Sequence, residues 1–354
     1  MNVLSLFDGM SCGQQALERA GIKVDKYFAS EIDKYAIQVT MANYPNTIQL
    51  GSVVNVDGYS LPKIDILIGG SPCQSFSFAG KRKGMSTKDE QEILTLDHYL
   101  ELKGEGFEFE GQSYLFWEYM RLLNEVKPKY FLLENVMMGE KWEKVLSKAI
   151  GVKPIMINSS LVSAQNRQRL YWTNIGLEPQ GLFGDLESII QQPKDKGILI
   201  QDIIEKNVSQ KFFLTNKRIL GYFKHKERHD FKNTGFGFEP KYLTDKSNCL
   251  RASQSLAPTD NHIVVAGDFR NDEGFRWREG GKTGTLMAQA RQDGTAGQVL
   301  AKIDNTIRRL TPIECERLQT VKDNYTNHVS DSQRYKMLGN GWTVDVIAHI
   351  LKYI

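Results

Sequence analysis

The strongest constraint on the fold lies in the first half of the chain, where short apolar runs alternate with helix-patterned segments. This is the pattern of βαβ units, because parallel strands need a crossover, usually a helix, to return the chain to the same end of the sheet. Strands are expected at residues 3–7, 26–30, 48–50, 64–68 and 130–133, and helices at 14–20, 34–43 and 115–125. In an open parallel sheet the ligand sits beyond the carboxyl ends of the strands, so the residues just after each strand carry the most information.

Those residues are rich in chemistry. The first strand runs into Phe7-Asp8-Gly9-Met10-Ser11-Cys12-Gly13, the second into Glu31-Ile32-Asp33, the fourth into Gly69-Gly70-Ser71-Pro72-Cys73-Gln74 and the fifth into Glu134-Asn135-Val136. Glycines after the first strand let the backbone approach a ligand. Glu31 stands 18 residues after Gly13, near the spacing at which an acid meets a ribose hydroxyl pair. A nucleoside-containing cofactor is implied. The chain lacks a GxGxxG phosphate loop, which argues against a dinucleotide and for a cofactor without phosphates.

Cys73 follows a Gly-Gly-Ser-Pro turn in which Pro72 restricts the backbone. A thiol there suits addition to an electron-poor ring carbon, since even a small thiolate fraction is strongly nucleophilic. Glu134, placed after an apolar strand, can hold a proton on a ring nitrogen as a general acid. Gln165-Asn166-Arg167-Gln168-Arg169 sets two arginines at alternate positions, which a strand or hairpin edge would point to one face. Such a pair can clamp an anion or an oxo group, or simply be solvated charge.

From about residue 176 the pattern changes. Gly, Asn, Asp and Ser are scattered, and no helical period is expected to persist beyond Ile203 until 312–319 and 345–353. With 354 residues, more than one core usually holds, the chain is divided into 1–175, an irregular domain at 176–306, and 307–354 returning to the first part. The polar stretch 84–112 reads as a surface insertion. His225 and His229, in KHKERHD, read as a solvated helix face, not a metal site.

Composition adds bounds. A net charge of +3 is compatible with a polyanionic partner but does not by itself point to one. The four cysteines, at 12, 73, 249 and 315, have no CxxC spacing, which suggests neither a zinc cluster nor a disulfide framework. With no export signal or membrane-length apolar run, a cytoplasmic protein is expected.

In order along nearly the whole chain, these residues resemble the cytosine carbon-5 DNA methyltransferase family of bacteria and phages. FDGMSCG is similar to the family's cofactor loop, GGSPCQSFSFAGKRKG to its nucleophile motif, ENV to its glutamate motif and QNRQR to its QxRxR motif; RRLTPIECERLQ and MLGNGWTV are similar to the closing pair. The resemblance implies an α/β, Rossmann-like fold dependent on S-adenosylmethionine, with a smaller, irregular target-recognition domain at 176–306. It implies that Cys73 adds to carbon 6 of cytosine, that Glu134 protonates or hydrogen-bonds nitrogen 3, and that Arg169, Arg167 and Gln165 steady the base and loop, with Pro72 beside the nucleophile.

By the same resemblance the cofactor would lie against Phe7, Asp8, Gly9, Gly13, Glu31, Ile32, Ser52, Asn340 and Trp342, without a metal. Where the family usually has an aspartate for the adenine amino group, this chain has Ser52. Trp342 replaces a commoner small residue. The target base would be flipped out of duplex DNA, residues 75–84 would close over it, and Lys81, Arg82 and Lys83 would reach phosphates. A monomer is expected, and a partner restriction endonuclease is compatible with this reading. Rival readings are an RNA cytosine methyltransferase of the same family, a catalytically silent DNA-binding relative, and an NAD-dependent dehydrogenase.

Overall fold

The computed structural model describes residues 1–72, 85, 92–109, 111–180, 185–232, 237–252, 257, 260–265, 267–270, 274–277 and 306–354. In chain order the first elements are β1 (Asn2–Leu6), α1 (Cys12–Ala20), β2 (Lys26–Ser30), α2 (Lys34–Asn43), β3 (Ile48–Gln49), β4 (Ile66–Gly70), α3 (Leu96–Gly104), α4 (Phe116–Val126), β5 (Tyr130–Val136), α5 (Glu140–Ile150), β6 (Ile155–Asn158) and β7 (Gln168–Thr173). The seven strands form one sheet in the order β3-β2-β1-β4-β5-β7-β6, with β7 antiparallel to both neighbours and the other pairs parallel.

Both faces of the sheet are covered, and the strands show it in their alternation. Val3, Ile66, Ile68 and Leu132 point into one apolar core, while Leu4, Leu6, Leu67, Phe131 and Leu133 point into the other. Continuous apolar strands of this kind belong to a parallel sheet with helices on each side. Helix ends are set locally: the Asp33 carboxylate accepts from Tyr35 N at 2.9 Å to start α2, and Gly21, at φ 74°, ends α1 in the left-handed region.

The chain continues through a β8 (Leu177–Gln180) and β9 (Asp185–Ser188) hairpin, α6 (Ile200–Ile203), α7 (Asn216–Lys232), β10 (His262–Val265), a β11 (Gly267–Arg270) and β12 (Gly274–Trp277) pair, and β13 (Thr306–Arg309). It closes with α8 (Pro312–Leu318), α9 (Asp331–Asn340) and α10 (Val344–Leu351). Thr311 and Glu314 form a capping box at α8 with Pro312 in the first turn. Arg308 of β13 makes a two-pronged pair with Glu314, at 2.7 and 2.6 Å. Helix α10 packs against α1, so the last segment completes the layer begun by the first.

Two expectations are corrected and one is refined. The described part of 84–112 is mostly exposed, as a surface insertion would be, but it is anchored: Met85 and Ile93 are fully buried, Tyr99 is 1% exposed, and the Tyr99 hydroxyl donates to the buried Glu118 of α4 at 2.6 Å. Helical structure does not stop near Ile203, since α7 runs for 17 residues. Glu134 lies within β5 and not after it, because β5 pairs with β7 as far as Val136 opposite Arg169. No helix among the described residues is long and apolar enough to cross a membrane.

Candidate functional site

Strand register aligns the site. Leu6 stands opposite Ser30 and Gly69, and Gly70 opposite Glu134, so β1, β2, β4 and β5 deliver their carboxyl ends to one edge. The antiparallel β7 brings its beginning, and hence Arg169, to that same edge. A crevice of about 540 Å³ opens there, within the usual size of a small-molecule site. Phe7, Asp8, Gly9, Glu31, Ile32 and Ser52 line one half; Pro72, Glu134, Arg167, Arg169, Asn340 and Trp342 line the other.

The first half is assembled from backbone. Phe7, Gly9 and Ser11 all have positive φ, at 57°, 58° and 61°; two of the three are not glycine, and backbone strain of this kind gathers at ligand-binding loops. Glu31 pins the loop, its Oε2 accepting from Gly9 N at 2.8 Å and its Oε1 from Ile32 N and Asp33 N, each at 2.8 Å. A carboxylate offers about four lone-pair positions, which leaves room for a hydroxyl. Ile32 is 70% exposed at the mouth. Ser52 precedes a short helical turn that its side chain does not cap.

Asp8 accepts from the Ser11 hydroxyl at 2.6 Å and from the Tyr27 hydroxyl at 2.7 Å. Burial pushes its carboxyl up to about 6 against those hydrogen bonds, with Glu31 nearby adding to the rise. Gly13 does not line the crevice. It lies beneath, where a Cβ would meet Ile68 Cδ1 at 2.5 Å and the Tyr27 hydroxyl at 2.7 Å, so it permits α1 to pack on the sheet.

The second half is assembled from side chains of different elements. Arg169 Nε lies 2.9 Å from Glu134 Oε1. Asn135 Nδ2 donates to Ser71 Oγ at 3.1 Å, tying the end of β5 to the turn that leads to Pro72. A Cβ on Gly70 would stand 2.9 Å from Trp342 Nε1 and 3.1 Å from Glu134 Oε2, so this glycine makes space for both. Arg167, 3% exposed, donates to the carbonyls of Gly339 and Gly341 at 3.3 and 2.8 Å. Gln165 is fully buried outside the crevice; its Oε1 accepts from Leu250 N at 2.8 Å and its Nε2 donates to Leu318 O at 3.2 Å.

Cys73 and residues 75–84, with Lys81, Arg82 and Lys83, lie outside the described residues; the described chain stops at Pro72, on the crevice wall. Sequence reasoning missed Asn135 as a positioner, and also Gln112 and Lys336, which line the crevice. Lys336 pairs with Asp33 at 2.6 Å. No local pattern marks Gln112, whereas Lys336 immediately precedes the MLGNGWTV motif. His225 and His229 face each other on α7 with Nε2 atoms 3.1 Å apart, and among the described residues no group of three or more His, Cys, Asp or Glu could hold a metal ion.

Comparison with known proteins places these features in a family. The C-5 cytosine-specific DNA methylase family matches residues 1–99 and 102–354. The chain is 26% identical to the orphan methyltransferase M.SPRI of Bacillus phage SPR, over 99% of this chain and 97% of that protein. It is 29% identical to the type II methyltransferase M.HpaII of Haemophilus parainfluenzae, over 97% and 86%. Among solved structures it is similar to the Entamoeba histolytica methyltransferase EhMeth, with a TM-score of 0.65 at 15% identity over 100% and 97% of the two chains. A Spodoptera frugiperda DNMT2 mutant gives 0.59 at 19% identity over 99% and 98%. These two likenesses establish a shared fold.

Proposed function

Because this chain belongs to the C-5 cytosine-specific DNA methylase family, we propose that it transfers a methyl group from S-adenosylmethionine to carbon 5 of a cytosine flipped out of duplex DNA, with Cys73 as the nucleophile. The observation that carries the reading is the Glu134–Arg169 pair, 2.9 Å apart on the crevice wall beside Pro72. An acid held by a guanidinium, beside the proline that precedes Cys73 in the sequence, supports addition of a thiol to a pyrimidine.

The crevice fits the cofactor on its own terms. Glu31 retains lone pairs for ribose hydroxyls, Ile32 offers an exposed apolar face to adenine, Ser52 can accept from the adenine amino group, and Asp8 is an acid facing a cationic ligand. When bound, S-adenosylmethionine supplies an electrophilic methyl group. The protein's own residues do the rest. The Cys73 sulfur forms a bond to carbon 6, and the displaced ring electrons move to carbon 5 while Glu134 holds a proton at nitrogen 3. After methyl transfer, a water acting as base takes the carbon-5 proton, the C–H electron pair restores the ring double bond, and the sulfur–carbon bond breaks to release Cys73 as thiolate. Arg169 orients Glu134 and faces the base, and Arg167 and Gln165 hold the backbone around them.

Residues 1–175 and 307–354 form the catalytic unit in this reading, and 176–306 recognise the target. The working unit is a single chain on duplex DNA in the cytoplasm, and no metal is required. The test is to incubate the purified protein with S-adenosylmethionine and unmodified duplex DNA and to map methyl groups base by base. Carbon-5 methylation of cytosine in one recurring context is expected. Unmethylated DNA would reject the reading, with methylated RNA redirecting it to an RNA substrate. Exchanging 176–306 for a relative's segment should move the preferred context while the chemistry stays the same; an active chimera with unchanged preference would reject the division.

A further inference from the structure

The middle of the chain meets the catalytic edge along residues 247–252. Ser247 N donates to Ala164 O at 2.7 Å, Asn166 N to Ser247 O at 2.8 Å, and Leu250 N to Gln165 Oε1 at 2.8 Å. Gly339, near the end of α9, lies against the same stretch: a Cβ there would be 2.2 Å from the Arg251 carbonyl carbon. This passage sets Cys249 Sγ 3.2 Å from Arg167 Nη1 and 3.7 Å from Arg169 Nη2. Arg169 in turn places its Nε 2.9 Å from Glu134 Oε1.

We propose that Cys249 is a positioning residue for methyl transfer, its sulfur bridging Arg167 and Arg169 and so fixing how Arg169 presents Glu134. The inference rests on the methyltransferase reading above. The physical case is one of charge. Two guanidiniums that share one neighbour repel each other, and Arg167 is almost wholly buried among neutral carbonyls, those of Leu250, Gly339 and Gly341. A buried cation without a counter-charge is costly. Burial works against ionising Cys249, but the Arg167 and Arg169 guanidiniums outweigh it and hold the thiol below its usual value. With a thiolate the row Arg167, Cys249, Arg169, Glu134 alternates in sign. A protonated thiol would instead aim its hydrogen at the Leu250 carbonyl, 3.5 Å away.

The test compares Cys249→Ser, Cys249→Ala and Cys249→Asp in the full chain. Serine and alanine, which cannot supply charge, should lower kcat roughly 10- to 100-fold, the size of effect seen when an orienting partner is lost, while KM for S-adenosylmethionine stays within about twofold by the same reasoning. Aspartate should recover most of the loss. Full activity in Cys249→Ser, or a Cys249→Asp enzyme worse than the alanine variant, overturns the bridge.

A second readout needs no turnover. The ultraviolet thiolate band of Cys73→Ser minus that of Cys73→Ser/Cys249→Ser isolates Cys249, because burial pushes Cys12 up to about 12 and Cys315 well above the usual value. A band that develops below the ordinary cysteine range is expected; one that appears only at or above that range overturns the proposal. A wild-type protein that methylates nothing would defeat the methyl-transfer reading, and the titration would still decide the bridge.

Discussion

The two halves of the crevice hold their acids by different means. Glu31 receives three backbone N–H groups from its own loop and the neighbouring one, whereas Glu134 is held by Arg169, a side chain from another strand. Backbone donors stay wherever the strands put them, so the Glu31 half is rigid by construction. The Glu134 half depends on side chains from β5, β7, residues 247–252 and the 339–342 turn agreeing with one another. Under the proposed function the difference separates binding from chemistry: a cofactor common to many targets suits a fixed cradle, and a reaction gated by the right base suits an arrangement that several segments must complete.

Substitutions can break or sharpen this contrast. Cys73→Ser should have the largest effect, lowering turnover by on the order of 10³-fold or more with DNA binding retained. Methyl incorporation beside a DNA-binding titration would show it, and an active serine variant would remove Cys73 from its role. Glu134→Gln should lower kcat by roughly 10²- to 10⁴-fold and leave KM for S-adenosylmethionine nearly unchanged; a rise in KM alone would dissolve the distinction between the halves. Glu31→Ala should do the reverse, weakening cofactor binding about 10- to 100-fold, the worth of a hydrogen bond or two to a charged group. Unchanged cofactor affinity by calorimetry would reject the ribose assignment.

The smallest effect concerns pH. Asp8 titrates at about 6 in the folded protein against 3.8 for the ordinary group, so the folded state binds the proton more tightly. Its contribution favours folding fully below the ordinary value and is lost as pH rises through the folded one. Asp8→Asn should therefore gain stability relative to the wild type as pH rises from about 4 to about 6, by roughly 1–3 kcal/mol, and hold that difference above. Parallel thermal-melting curves for the two proteins across this range would contradict it.

Much of the catalytic sheet was legible because its signals are local. The expected helix at 34–43 coincides with α2, and strands at 26–30 and near 130 follow from apolar runs that both faces of the sheet bury. Pairing moved other boundaries. β4 continues through Gly69 and Gly70, which pair with Leu133 and Glu134, although glycine has little strand preference of its own. Of α7 only the His225–His229 face was legible; its charge and Gly221 masked the rest, which is supported by Tyr222 packing against Phe238. Most of the crevice residues follow from strand ends, which is why Phe7, Asp8, Glu31 and Glu134 could be named together. Cys249 could not: it stands 80 positions from Arg169, and no periodicity links two residues brought together only by tertiary packing.

The packing of α10 on α1, together with Trp342 and Phe7 sharing one crevice, has a consequence for the order in which the protein is made. A ribosome delivers Phe7, Glu31 and Glu134 early, but Arg167 finds its Gly339 and Gly341 carbonyls only after the 307–354 segment has emerged. Until then the layer that α1 and α10 share is incomplete. Under the proposed function, expressing 1–306 and 307–354 as separate chains should make methylation depend on their reunion.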